Sequence, residues 1–183
     1  MTQAGISVLS HFWAPLCAVG SHGPQGPNAQ VCVSVFGASI VPERPRLLVV
    51  LSNTNYTTAL VAAAGSLTVS VLGEGQTQLL EPLGLRSGRD GPKLRDLDYA
   101  VSAAGDPYFD GGAGWAACEG LESFELGDST AFLVAVREKS DGAGPALSWQ
   151  TAKRLVGAEF LDRWAAKSVV EQEAARRAMT WRA

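Results

Sequence analysis

The sequence predicts a mainly β fold, an all-β barrel or sandwich decorated with short helices. Three observations carry that prediction. Short runs rich in Val, Ile, Leu and Phe recur between Gly and Pro punctuation, the texture of many brief strands. Helical spacing of apolar residues is confined to a few places, and the regular βαβ alternation of a parallel sheet is absent. With 183 residues, 46% of them apolar, the chain can bury one sizeable core, so one domain with an appendage is expected rather than two domains.

In chain order, strands are expected at 16–20, 30–36, 47–51, 67–72, 116–126 and 130–139. Short helices are expected at 57–64 and 76–83, and the glycine-rich clusters at 87–93, 105–107 and 110–114 are loops by composition. Gly127-Asp128 reads as the turn between the last two strands. A linker follows at 141–145, and the texture then changes. From 152 to 181, Leu155, Leu161, Trp164, Ala165, Ser168 and Val169 fall at helical spacing among Lys, Arg and Glu. An amphipathic helix or helix pair is expected there, packed on its own barrel or on a second subunit.

Composition excludes several functions. The 18 acidic residues outnumber the 15 Lys and Arg, and the basic residues are scattered, so nucleic acid is not the expected main partner. Met1 to Ser10 shows no signal-peptide pattern and no later stretch is long and apolar enough to cross a bilayer, so a cytoplasmic protein without a membrane partner is expected. Cys17, Cys32 and Cys118 have no C-x-x-C spacing and read as buried small hydrophobes. The histidines, His11 and His22, fit no metal motif and, with no third group evident, no catalytic triad; His11 beside Phe12 and Trp13 reads as a packed surface or core histidine rather than a ligand. No G-x-G-x-x-G follows a strand, so any chemistry must come mostly from a bound cofactor.

The stretch from Ser39 to Thr58 is the most informative. The apolar run 47–51 ends abruptly in Ser52-Asn53-Thr54-Asn55-Tyr56-Thr57-Thr58, and a short helix follows. Hydroxyls and unpaired amides at a helix start favour an anion such as a phosphate. The same residue types also end strands and cap helices with no ligand present, and alone the stretch favours that plainer role.

The order of motifs from Phe12 to about Glu138 resembles the flavin reductase-like family. The resemblance rests on Pro15-Leu16-Cys17-Ala18-Val19-Gly20-Ser21, the turn Gly23-Pro24-Gln25-Gly26-Pro27-Asn28-Ala29, and Val33-Ser34-Val35-Phe36-Gly37-Ala38-Ser39, similar to the family's Ser-Phe-x-Ser-x-Ser passage. It continues with Pro42-Glu43-Arg44-Pro45 leading into Arg46-Leu47-Leu48-Val49, where Arg44 replaces the first of two prolines. Thr57 stands eight residues before Gly65, and Ser87-Gly88-Arg89-Asp90-Gly91-Pro92-Lys93-Leu94 is similar to S-G-R-D-x-x-K-F.

The resemblance implies a split β-barrel at 1–143 that binds FMN, with 144–183 a helical extension. It implies that the Val33 to Ser39 strand, Val35 included, lies along the isoalloxazine and offers the Ser34 hydroxyl. Asn28 joins the cofactor contacts, Ser52, Asn55 and Thr57 take the phosphate, and Lys93 adds charge. The implied activity is hydride transfer from NADH or NADPH to flavin, with no catalytic side chain, in a homodimer that supplies reduced flavin to a monooxygenase. Asp128 and Ser129 occupy the family's Gly-Asp-His position, where the histidine helps place the nicotinamide. Ser129 can hydrogen-bond but cannot stack or carry positive charge. That departure motivates the alternative of an electron-transfer or non-catalytic FMN protein, and a related barrel holding another phosphorylated ligand is a third reading.

Overall fold

A computed structural model describes residues 8–13 and 15–179. The N-terminal expectations that fall on residues 1–7, and the expected helix at Thr180 and Trp181, lie outside the described residues.

Nine strands form among the described residues: β1 (Cys17–Gly23), β2 (Gly26–Cys32), β3 (Val35–Gly37), β4 (Arg46–Ser52), β5 (Ser66–Val71), β6 (Ala100–Val101), β7 (Pro107–Tyr108), β8 (Gly114–Glu125) and β9 (Ser129–Asp141). Seven make one antiparallel sheet in the order β2-β1-β5-β8-β9-β4-β3, while β6 and β7 pair separately. The outer strands of this sheet, β2 and β3, are consecutive in the chain and joined only by Val33 and Ser34. Laid flat, the sheet would hold them about 29 Å apart. The chain from Cys32 to Val35 can reach only about 11 Å. The sheet must therefore curl until its edges meet, and it does: the Val50 N–H donates to Ser34 O at 2.9 Å and the Cys32 thiol points to Val50 O at 3.5 Å. The result is a split β-barrel.

Alternation along the strands builds two cores. Cys17 and Val19 of β1 face the barrel interior with Val49, Leu51, Leu67, Val69, Phe132 and Val134. Leu16 and Ala18 face the other way, into a second core with Leu72, Leu80, Leu83 and Leu147. The three cysteines are buried, and burial pushes the thiols of Cys17 and Cys118 up to about 12 and that of Cys32 to about 11. They behave as small hydrophobes.

Four α-helices occur among the described residues: α1 (Tyr56–Ala64), α2 (Leu80–Leu85), α3 (Trp149–Leu155) and α4 (Ala158–Ala178). A 3-10 segment at Glu74–Leu79 runs into α2, so the expected 76–83 helix is a 3-10 turn followed by a short α-helix. The expected C-terminal helix is a pair, broken where Val156 and Gly157 leave helical geometry. Trp164 of α4 packs on Trp149 and Phe160, at ring separations of 4.9 Å and 5.5 Å, within the same chain.

Two expectations need correction. The 23–29 stretch is not one long turn: Gly23 pairs with Gly26 across Pro24-Gln25, and Pro27 and Asn28 already belong to β2. A proline is tolerated there because β2 is an outer strand with a free side. The expected strand at 30–36 is divided between β2 and β3 on opposite sides of the barrel seam. His11 is exposed, at the surface rather than in the core. No helix among the described residues is long and apolar enough to cross a membrane.

Leu67 is fully buried inside the barrel. Leu67→Ala is expected to cost about 3 kcal/mol in urea unfolding, from lost transfer energy plus the cavity left behind. A loss under about 1 kcal/mol would contradict its placement in a close-packed interior.

Candidate functional site

The site begins where β4 ends. Ser52 Oγ accepts from Thr54 N at 3.4 Å and bonds Thr54 Oγ1 at 2.9 Å, while the Thr58 hydroxyl donates to Ser52 O at 2.6 Å. These local bonds turn the chain out of the strand and into α1. Asn55 holds the N-cap position of α1 with no side-chain cap bond, so it leaves the first-turn amides uncapped. Thr57, 1% exposed, is fixed from below, its hydroxyl accepting from Asn28 Nδ2 at 2.8 Å.

The loop after α2 closes over this corner. Gly88 is packed so tightly against Asn28 and Tyr56 that an added Cβ would lie 2.6 Å from Asn28 Oδ1 and 2.7 Å from Tyr56 Cδ1. Only glycine lets the loop come this near. Arg89 donates to Thr54 O at 2.9 Å and sits 5.6 Å over the Tyr56 ring, tying loop to helix start. Lys93 Nζ donates to Leu83 O and Arg86 O, each at 3.2 Å, which leaves one of its three N–H bonds free.

Between these pieces lies a cleft of about 260 Å³. Gln30 and Val31 of β2, Thr54 to Thr57, Arg86 to Arg89 and Lys93 of the loop, and one face of α4 line it. Gln30 is only 6% exposed, yet its Oε1 has no hydrogen-bond partner. A buried amide oxygen left unbonded costs about 1–3 kcal/mol, and a turn of the Gln30 side chain toward a donor in the cleft would relieve it.

A family model described as "Flavin reductase like domain" matches residues 9–155. The chain belongs to the flavin reductase-like family. Solved structures agree in fold. The NADH:FAD oxidoreductase of Streptomyces globisporus superposes with a TM-score of 0.67 at 21% identity, over 73% of this chain and 79% of that one. An FMN-binding protein from Thermus thermophilus gives 0.66 at 23% identity, over 77% and 79%. The flavin reductase component of a bacterial two-component tryptophan halogenase gives 0.63 at 22%, over 74% and 84%. No curated protein matches the chain.

Set against the family motifs, the structure brings Asn55, Thr57 and Lys93 to one cleft, with Asn28 directly beneath. Ser52 lies at the entrance to the turn. Val33, Ser34, Val35 and Ser39 do not line the cleft: Val33 and Val35 pack against the two cores, Ser34 is half-buried at the barrel seam, and exposed Ser39 accepts from Val41 N at 3.1 Å. Val33 and Ser34 nonetheless follow the cleft residue Val31 within a few steps of chain. Asp128 and Ser129 form the β8–β9 turn beside the end of β4 and the start of α1, since Asn53 N donates to Asp128 O at 2.9 Å and Ser52 faces Ser129 across the ladder. The Ser129 hydroxyl donates to Asp128 Oδ1 at 3.2 Å.

Sequence reasoning missed Gln30, Arg86 and the α4 residues. A glutamine opening an apolar strand was the one available signal. The absence of a third group at the histidines is also corrected: Asp106, 1% exposed, places Oδ1 2.7 Å from His22 Nδ1 and leaves Oδ2 unpartnered. This pair joins β1 to the loop before β7, outside the cleft.

Burial, with Lys167 beside it, lowers the Lys93 ammonium to about 8 against an opposing pull from Glu171. An unfolded lysine keeps its proton up to 10.5, so between these values the unfolded chain binds more protons and stability rises with pH. The cost of the buried charge is fully present below about 8 and is relieved above it. Lys93→Met removes that titration. Its stability relative to wild type should therefore fall between about pH 8 and pH 10.5 in urea unfolding, and a pH-independent difference would contradict the buried charge.

Proposed function

We propose that the chain is a flavin reductase that binds FMN with its phosphate in the cleft and oxidises NADH or NADPH. The observation that carries this reading is the coincidence, in one cleft, of an uncapped helix start, a lysine with a free N–H, and a buried glutamine with an unbonded oxygen. A phosphate ester accepts hydrogen bonds and wants the first two, while a ribityl hydroxyl donates and wants the third. The donor set therefore fits a phosphorylated flavin. The named functions of the family's solved members, an NADH:FAD oxidoreductase and a halogenase's flavin reductase component among them, support the reading.

A bound flavin would supply the two-electron chemistry. The chain's own part is to hold and orient. Thr57 is kept rigid by Asn28, Lys93 by two carbonyls, and the loop by Arg89, so the phosphate end meets groups already in place. Val33, Ser34, Val35 and Ser39 offer the strand along which the ring would lie, and Asp128 with Ser129 the turn near which a nicotinamide would dock. No nucleophile, general acid or general base is assigned.

The reading extends to a cytoplasmic homodimer, with 1–143 as the flavin-binding barrel, 144–183 as its helical extension, and a monooxygenase or similar enzyme as recipient of reduced flavin. One observation favours the alternative of an electron-transfer flavoprotein: the Ser129 hydroxyl is already donated to Asp128 and offers a nicotinamide little.

Anaerobic titration separates these readings. Protein loaded with FMN should lose the flavin's visible absorbance on adding NADH or NADPH, and should oxidise many equivalents once free flavin and air are supplied. Loss of colour with a reduced protein carrier but with neither nucleotide would favour the alternative, and absence of any flavin binding would sink both.

A further inference from the structure

Helix α4 lies beyond the family match, which ends at residue 155, yet it forms one wall of the cleft. It is an unusual wall. None of its residues is fully buried, and Val169 and Val170 remain 67% and 69% exposed. Trp164, Lys167, Ser168 and Glu171, spaced three and four apart along one face, line the cleft, with Val170 and Ala174 at its border. An amphipathic helix docked for stability alone would bury its valines.

The helix is anchored one turn below the charged residues. Trp164 lies over Gly84 so closely that any side chain there would collide with the indole, and Arg163 Nη1 meets Glu81 Oε1 at 3.0 Å. That anchor points the next turn at Lys93. Ser168 is occupied, donating to Trp164 O at 2.9 Å, and Lys167 is paired with Glu171 of the same helix. Both Lys167 and Glu171 act electrostatically on Lys93. In all, Arg86, Arg89, Lys93 and Lys167 border the cleft against the single carboxylate of Glu171, in a chain whose net charge is −3. A local excess of cations in an acidic protein selects for an anion.

We propose that α4 completes the phosphate end of the flavin site, with Lys167 as a second ammonium beside Lys93 and Glu171 as the resting counter-ion that a phosphate displaces. The proposal rests on the flavin reading of the cleft. Glu171 holds Lys167 and offsets its like-charge repulsion with Lys93. When a phosphate enters, both ammonium groups turn to it, and Glu171 becomes an opposing charge. The two residues therefore have opposite effects on one ligand group, an arrangement that a packing role for α4 does not produce.

The test compares FMN with riboflavin, which lacks only the phosphate, by quenching of flavin fluorescence with full-length protein at low ionic strength. Lys167→Met should weaken FMN about tenfold and leave riboflavin within about twofold, and Lys167→Arg should restore most of the loss. Glu171→Gln should tighten FMN by about threefold and leave riboflavin unchanged. If wild type prefers FMN to riboflavin but the Lys167→Met protein keeps that preference, or loses both ligands equally, the α4 proposal fails while the flavin site stands. If wild type binds neither flavin, or binds both alike, the phosphate reading of the cleft fails and the α4 proposal with it.

Discussion

The connection of β2 to β3 through Val33 and Ser34 is the constraint on which the rest of the structure depends. Two residues cannot cross the breadth of a seven-stranded sheet, so the sheet curls and its outer strands meet at a seam. Closure puts Gln30 and Val31, on one side of that seam, near the end of β4 and the start of α1. Residues far apart in sequence thus become neighbours for a topological reason. The cleft is a by-product of barrel closure, filled in by whichever segments pack around it.

Three segments do so, and each is held by a different kind of force. The turn from β4 into α1 is stabilised by its own hydroxyls, a local effect that needs no tertiary contact. The 86–93 loop is held by close approach at Gly88 and by polar bonds from Arg89 and Lys93 to backbone carbonyls. Helix α4 is held by aromatic packing around Trp164, which leaves its charged face free to serve the cleft. Such a division suits a binding site: rigid groups below, and an electrostatic wall that can rearrange above.

Much of the fold was legible in the sequence because strand alternation and Gly/Pro punctuation are local signals. The runs at 47–51 and 130–139 lie in strands, those at 67–72 and 116–126 do so but for their last residue, and the Ser39 to Thr58 passage does end a strand and begin a helix. The seam was not legible. Apolar periodicity runs unbroken from Gln30 to Phe36, and only the global topology divides it between opposite sides of the sheet. Candidate-site residues carried by motifs, Asn55, Thr57 and Lys93, do share one cleft, whereas Lys167 and Glu171 look in sequence like any surface pair four residues apart. Their position depends on where Trp164 docks, and no short-range pattern encodes that. His22 and Asp106 escaped notice for the same reason, being 84 residues apart.

The claim at the centre of this account is that the uncapped start of α1 and the walls around it form a phosphate-bearing flavin site. Hydrogen exchange of backbone amides with and without FMN tests it most directly, since it reports where the ligand bears on the chain. The account predicts slower exchange at Tyr56 to Thr58, in the 86–93 loop and in α4 around Lys167, with the glycine-rich 110–114 region unchanged. FMN-dependent protection confined to that glycine-rich region or to the β8–β9 turn, with none at the start of α1, would contradict it.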